Sequence, residues 1–518
     1  MKNIKIKITK ESLLVGMILL LGAFIPVFLM SKNSPLYPFN DWYDINIIFS
    51  VGKGMLYGKA PYVDLVDHKG PFVFFLAEVA YIIDRTGFFG WFVLEVLNLF
   101  VFSLFSYKTL CLFSLNKKLS VFVPPLVCCI IVLSTGFQHG ESAEELSLWI
   151  MSIALYSMLK MIKSEDAPKL SIVLGNGILF GLLFWSKFTM TGIYIVWIIW
   201  LCFFIKKRNF RHILMFGAGF IIATLPWLFY FGSHHAVYEW LDTYVIRNVF
   251  GYGSKESISL VQRLVSVVVL LKGFLFRRQN LPILALFALT VLYYLVPHKN
   301  SKISLSERIC VIFMMAMTSL GVYAGGFDYG YYGLILCAYI VIGAVPLIGI
   351  AQRLMKLFSE KKKNMIEGIV CFALMPVLYI GFVAFSFARS DNTYMLDMKK
   401  EELPQYVFAD IINSSPEDER VLLNYGFLDA GVYTVLDQVP QMKYFSSNNS
   451  DYEKIMEIQS DYIRNEIPDY VLTFYPVAGT EEQISDVPVL KDDYHVVSYV
   501  YHYIEGGERT YVLWARNK

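Results

Sequence analysis

The chain has 518 residues, of which 56% are hydrophobic, 16% aromatic and only 17% charged, with a net charge of +2 and a mean hydropathy of +0.51. Soluble domains carry roughly 25% charged residues, so the composition excludes an ordinary soluble enzyme, and no nucleic-acid partner is expected. The seven cysteines (Cys111, Cys128, Cys129, Cys202, Cys310, Cys337 and Cys371) all fall in apolar stretches, which excludes a CxxC metal site and a disulfide framework.

A basic start (Lys2, Lys5, Lys7, Lys10) precedes the apolar run from Leu13 to Met30. No small-residue cleavage site follows Met30, so the run reads as a retained first helix with a cytoplasmic N-terminus rather than as a signal peptide. Apolar runs of about 18 to 25 residues, the length that crosses a bilayer as a helix, recur as far as Ala388. The expected class is a polytopic α-helical membrane protein.

The stretch from Asp41 to Pro71, DWYDINIIFSVGKGMLYGKAPYVDLVDHKGP, follows the first span and is dense in ionisable groups. With the N-terminus inside, it is the core of a first outer loop, 31–71. The apolar run Phe72–Asp84 that comes next contains Glu78 and is short. Runs of about 10 to 14 residues are more often interfacial than spanning, so it reads as a juxtamembrane helix. The span Phe88–Phe113 then returns the chain to the basic loop Asn116–Leu119.

Three further basic loops, Lys160–Lys169, Lys206–Arg211 and Arg353–Lys363, are assigned to the cytoplasm by the positive-inside rule. Parity between Arg211 and Lys361 requires that one apolar run not cross. Ser259–Phe276, with Gln262, Arg263 and Lys272, is the poorest lipid-facing helix and is expected in the interface. That leaves about 11 spans, or about 13 if both doubtful runs cross, with the C-terminus outside. Besides loop 31–71, the outer surface comprises the second loop 136–144, a turn at Lys187, a third segment 232–280 and the turn 325–330.

Residues 1–388 thus form the membrane domain, and 389–518 an extracytoplasmic domain rich in Asp, Glu, Tyr and Asn. In that tail Arg420–Phe427, Tyr470–Tyr475, Tyr494–Tyr503 and Arg509–Ala515 read as strands from their β-branched and aromatic content. Leu403–Asn413 and Tyr452–Asn465 read as helices, giving a small α/β domain.

Acidic residues are sparse, so their clustering is informative. Asp41, Asp44, Asp64 and Asp67 lie in the first loop, and Glu141, Glu144 and Glu145 in the second, GFQHGESAEELSLW. A carboxylate from each loop can meet in one cleft, one as general base toward an acceptor hydroxyl, another orienting it or helping to hold a divalent cation. Lys69, Lys187 and Arg247 sit at the same outer level, where a cation pairs with phosphate. Lysines at membrane ends also simply snorkel to water. Each acid has a plainer reading too: Asp44 as a helix N-cap, Asp64 and Asp67 as turn residues, Glu144 and Glu145 as helix-start charges. His68 and His139 lack metal-ligand spacing and read as hydrogen-bonded loop histidines. Tyr331 and Tyr332, in GGFDYGYYG, belong to an aromatic belt or stack on a sugar.

DINIIFSVGKGMLYGKAPYVDLVDHKGP resembles the first-loop signature of bacterial GT-C fold glycosyltransferases, in particular those of glycosyltransferase family 39, the protein-mannosyltransferase-like proteins. GESAEELSL is similar to their second-loop acidic motif, with Ala143 where a Thr often stands. FDYGYYG is similar to an outer-turn motif in which Gly330 replaces a frequent His, and NYGFLDAGVY in the tail also looks like these relatives. The resemblance covers most of the chain.

It implies transfer of a sugar, hexosyl or pentosyl, from a polyprenyl-phosphate donor to an envelope polymer, glycolipid or protein at the outer face of the cell membrane. It puts the base at Asp44, with Asp41 as second choice, and the second-loop acid at Glu144, then Glu145. Lys69 falls beside the lipid phosphate, with Lys187 and Arg247 as further phosphate contacts and His68, Asp67, Tyr331 and Tyr332 as substrate contacts. Some relatives use a divalent cation (Mg or Mn) and others do not, so the resemblance leaves a metal open. No Gly-rich phosphate loop is present for a sugar nucleotide. The rival readings are a lipid-linked sugar flippase and a non-catalytic polymer-binding scaffold. Transport calls for partnered ionisable residues within spans, and Glu78 and Glu95 show no evident partner in the sequence.

Overall fold

The computed structural model describes residues 9–164, 167–203, 210–251, 259–296, 303–447, 452–477, 480–504 and 507–518. Lys2, Lys5 and Lys7 of the basic start and Lys206 to Arg208 of the third basic loop lie outside the described residues. The chain forms two compact units that interleave along the sequence. One comprises Met1–Ser34, Phe92–Leu225 and Glu256–Thr393; the other comprises Pro35–Trp91, Pro226–Lys255 and Tyr394–Lys518.

Seven helices among the described residues are long and apolar enough to cross a membrane, among them α1 (Lys10–Met30) and Phe210–Ser233. The protein is a polytopic helical membrane protein. Pro71–Ile83 has 13 residues, about 20 Å of helix at 1.5 Å per residue, short of the roughly 30 Å hydrocarbon core. Leu260–Leu275 has 16 residues, and its Gln262 serves in a capping box with Ser259.

The first unit packs as membrane helices do, through small residues that let backbones approach. A Cβ on Gly177 would lie 2.1 Å from the Phe216 carbonyl oxygen, and one on Gly219 2.3 Å from that of Leu174, so Leu170–Lys187 and Phe210–Ser233 cross at paired glycines. The continuous-looking stretch 170–203 reverses direction. Lys187 has extended dihedrals, and the rings of Phe180 and Tyr194, 14 positions apart, sit 5.5 Å from centroid to centroid. A straight helix would separate them by about 21 Å.

Loops sort to the two ends of this unit. At one end Lys163 lies over Phe113 and pairs with Glu307 at 2.8 Å, Lys118 pairs with Glu367 at 3.1 Å, and a His212 ring nitrogen meets the Pro168 carbonyl at 3.0 Å. Described residues in or beside the basic segments, Lys118, Lys163, Pro168 and His212, make these contacts. At the other end the Asn392 side chain donates to the Met30 carbonyl, and Asn280 binds Thr135.

The second unit holds a four-stranded sheet of β1 (Leu422–Asn424), β2 (Tyr470–Tyr475), β3 (Tyr494–Ile504) and β4 (Gly507–Arg516), in the order β1-β2-β4-β3. β1 and β2 are parallel, with Leu423 opposite Val471, and the other pairs are antiparallel. Leu423, Val471, Val512 and Trp514 join Ile463 of helix Tyr452–Arg464 in its core. Trp514 donates its indole N–H to Thr473, satisfying the polar atom of a buried aromatic.

The first loop folds onto this tail. Helices α2 (Tyr43–Leu56) and α3 (Pro71–Ile83) cross at Gly52, where a Cβ would stand 2.4 Å from that of Ala77. On the tail side of α2, Ser50 donates to Asp429 at 2.7 Å and Thr434 to Asn46 at 3.1 Å. The ammonium of Lys53, fully buried, donates to the Tyr433 carbonyl at 2.9 Å and lies 3.7 Å from Asp437. Burial pushes Lys53 down to about 8 against the upward pull of Asp437 and Asp429.

Candidate functional site

Helix α2 begins at Tyr43 with Trp42 as N-cap, and no side chain caps it. Asp44 therefore lies inside the first turn and is not the N-cap that its position suggests. Its carboxylate is 3.4 Å from the Lys69 ammonium, and the side chain retains 18% exposure. Lys69 stands equally 3.4 Å from Asp67, whose side chain is 1% exposed. Asp67 also accepts the His68 backbone N–H at 2.7 Å. Burial alone would raise the Asp67 carboxyl, but the Lys69 charge and the His68 contacts outweigh it and hold it well below the usual carboxylate range.

Local geometry fixes this group. Tyr62, at φ +72°, donates its hydroxyl to the Lys69 carbonyl at 2.7 Å, and Asp64 closes the preceding turn by accepting from Ala60 N–H. Asn248 donates to the His68 carbonyl at 2.8 Å and so ties the helical segment carrying Arg247 to the first loop. Arg247 itself is half exposed and paired with Asp242 at 2.7 Å. Asp41 is buried, and it accepts from the Tyr394 hydroxyl at 2.8 Å and from His502 at 3.1 Å.

The other unit holds a second charged group. Glu144, fully buried, binds the Lys187 ammonium at 2.6 Å. Lys187 keeps 24% side-chain exposure and lies 3.6 Å from the Tyr332 ring centroid and 5.6 Å from that of Tyr331. A cation held against an aromatic face and a carboxylate is fixed in place. Tyr331 also stacks on Tyr329 and meets His139 edge-on.

The second loop does not begin a helix at Glu144 and Glu145, because the next helix starts at Leu148. It is an irregular turn held by Asn98, which donates to the Glu145 carbonyl at 2.6 Å and accepts the Trp149 N–H at 3.1 Å. Gly140 and Glu141 both have positive φ, and the Glu141 N–H is donated to the Glu145 carboxylate at 2.7 Å. Burial, then the neighbouring carboxylates, push Glu141 and Glu145 well above the ordinary range.

Glu95, on α4 (Phe89–Cys111), is not isolated as the sequence suggests. It accepts from the Ser31 hydroxyl at 2.6 Å, and its carboxylate gathers with those of Glu141 and Glu145. Glu95 and Asn98 escaped the sequence reading as candidate site residues, while Glu141 was named only among the second-loop acids. Two polar residues three apart on one span were the available signal.

Each unit thus assembles part of the expected set: Asp44, Asp67, His68, Lys69 and Arg247 in one, Glu144, Glu145, Lys187, Tyr331 and Tyr332 in the other. No family model matches the sequence, and no curated protein does. Among solved structures, the chain is similar to ArnT from Cupriavidus metallidurans bound to undecaprenyl phosphate, at 13% identity and TM-score 0.55. It is also similar to the apo form of that protein, at 12% identity and TM-score 0.57. Each match covers 97% of both chains. ArnT is a GT-C glycosyltransferase, and the likeness over nearly the whole length gives this chain the GT-C fold.

Proposed function

We propose that this GT-C-fold membrane protein moves a sugar from a polyprenyl-phosphate carrier to an acceptor hydroxyl of the cell envelope, on the outer face of the membrane. The observation that carries the reading is the first-loop group in which Lys69 stands 3.4 Å from both Asp44 and Asp67, with Asp44 reaching solvent. A partly exposed carboxylate positioned by a lysine is suited to take a proton. Asp41, buried and already engaged by Tyr394 and His502, is a poorer base. The likeness to a protein crystallised with undecaprenyl phosphate supports a lipid-phosphate donor.

In the proposed step the acceptor oxygen attacks the anomeric carbon from the face opposite the phosphate, and its proton passes to Asp44. The bond from that carbon to the phosphate oxygen breaks, polyprenyl phosphate leaves with the electron pair, and the configuration inverts. Of the candidate phosphate cations, Lys69 and Arg247 belong to the unit that carries Asp44, and Lys187, with the faces of Tyr331 and Tyr332, belongs to the other.

The test is transfer by membranes carrying Asp44→Asn, with synthetic polyprenyl-phosphate sugars and release of polyprenyl phosphate as the readout. Loss of a general base costs about 10²- to 10⁴-fold in turnover, with lipid binding retained. Near-native turnover would remove Asp44 from the mechanism.

A further inference from the structure

We propose that Glu95, Glu141 and Glu145 form a binding site for one divalent cation of the hard, oxygen-preferring class. One carboxylate oxygen from each lies within 4.8 Å of the others, and all three side chains are fully buried. Among the described residues no lysine, arginine or histidine pairs with any of them. A second observation points to a ligand. Both carboxylate oxygens of Glu141 lack any hydrogen-bond partner, as does one oxygen each of Glu95 and Glu145. Buried carboxylates are normally bonded, paired or on a metal.

The surroundings suit an ion. Ser31 donates to the outer oxygen of Glu95 at 2.6 Å, and the Glu141 N–H donates to Glu145 at 2.7 Å. Partners of this kind orient carboxylate ligands toward a metal. An all-oxygen carboxylate set selects Mg, Mn or Ca over the softer metals. The ligands come from α4 and from both ends of the Glu141–Glu145 turn, so a bound ion would lock the turn that presents Glu144 to Lys187. The site does not depend on the proposed transfer reaction.

The experiment uses the full chain in detergent, stripped with a chelator and titrated with Mn²⁺ by electron paramagnetic resonance, together with its melting temperature. The expected result is one Mn²⁺ per chain, a rise in melting temperature on binding, and at least tenfold weaker binding in Glu141→Gln. Should that variant fail to fold, Glu95→Asp and Glu145→Asp keep the charge, shorten the reach and are expected to weaken binding likewise. Folded native protein that takes up no Mn²⁺ at millimolar concentration would overturn the proposal, since the cluster would then hold protons instead. Equal Mn²⁺ binding by the native protein and the folded variants would overturn it as well.

Discussion

Replacing Lys69 with methionine tests how the first loop is held. Its ammonium is the main favourable charge on Asp67, a side chain with 1% exposure, at 3.4 Å. At an effective dielectric of 20 that separation corresponds to about 5 kcal/mol of attraction. Removing one partner of a buried pair usually costs about 3–5 kcal/mol, because the other charge is stranded. At about 2–4 °C per kcal/mol for a domain of this size, Lys69→Met should lower the melting temperature in detergent by the order of 10 °C at neutral pH.

The pH dependence gives a sharper signature. In the native protein the Asp67 carboxyl titrates below its unfolded value, so its contribution is complete above about pH 4 and is lost only as the pH falls below that. Without Lys69, burial acts with only the His68 contacts opposing it, and the carboxyl moves up. The folded variant then gains from binding a proton, so its stability falls as pH rises. The gap between the two proteins should therefore narrow as pH drops from 8 to 5. Asp67→Asn combined with Lys69→Met leaves no stranded charge and should recover at least half of the loss. The reasoning is refuted if Lys69→Met melts within about 2 °C of the native protein with a parallel pH profile.

Lys53 offers the opposite sign. Its folded value of about 8 lies below the unfolded lysine value, so the unfolded state binds more protons between the two, and stability rises with pH across that window, by roughly 3 kcal/mol at most. Lys53→Met should flatten the native rise between pH 8 and 10, measured by thermal unfolding. Lys187→Met should raise the KM for the lipid donor several-fold more than it lowers kcat, whereas a kcat loss at unchanged KM would place Lys187 in the chemical step instead.

Much of the architecture is written in the sequence because bilayers impose coarse rules. Span length and lysine placement led to the helical class, and β-branched runs located all four strands of the tail, with β1 trimmed to Leu422–Asn424. The reversal at Lys187 was legible because a lysine between two apolar runs has few other places to be. What escaped was long-range partnership. Asp44 has the residue type of an N-cap, and only the fold reveals that Lys69, 25 positions later, claims its carboxylate. Nothing local in DINIIFSVGKG announces that Asn46, Ser50 and Lys53 bind the segment 429–438, nearly 400 residues away. The same holds for Glu95, whose partners come from a loop more than 40 positions on.

The two lysine groups differ in their surroundings, and this bears on which one meets a phosphate. Around Lys69 two carboxylates, Asp44 and Asp67, each stand 3.4 Å from the ammonium. An incoming phosphate dianion is repelled by these carboxylates, while a hydroxyl about to lose its proton is not. Around Lys187 the buried Glu144 carboxylate pairs with the ammonium, and Tyr332 adds an aromatic face without adding charge. A phosphate approaching the exposed part of Lys187 meets a cation already hydrogen-bonded to Glu144. Under the proposed function, these surroundings favour proton transfer at the Asp44 group, with Lys69 holding the base in position, and a phosphate contact at Lys187.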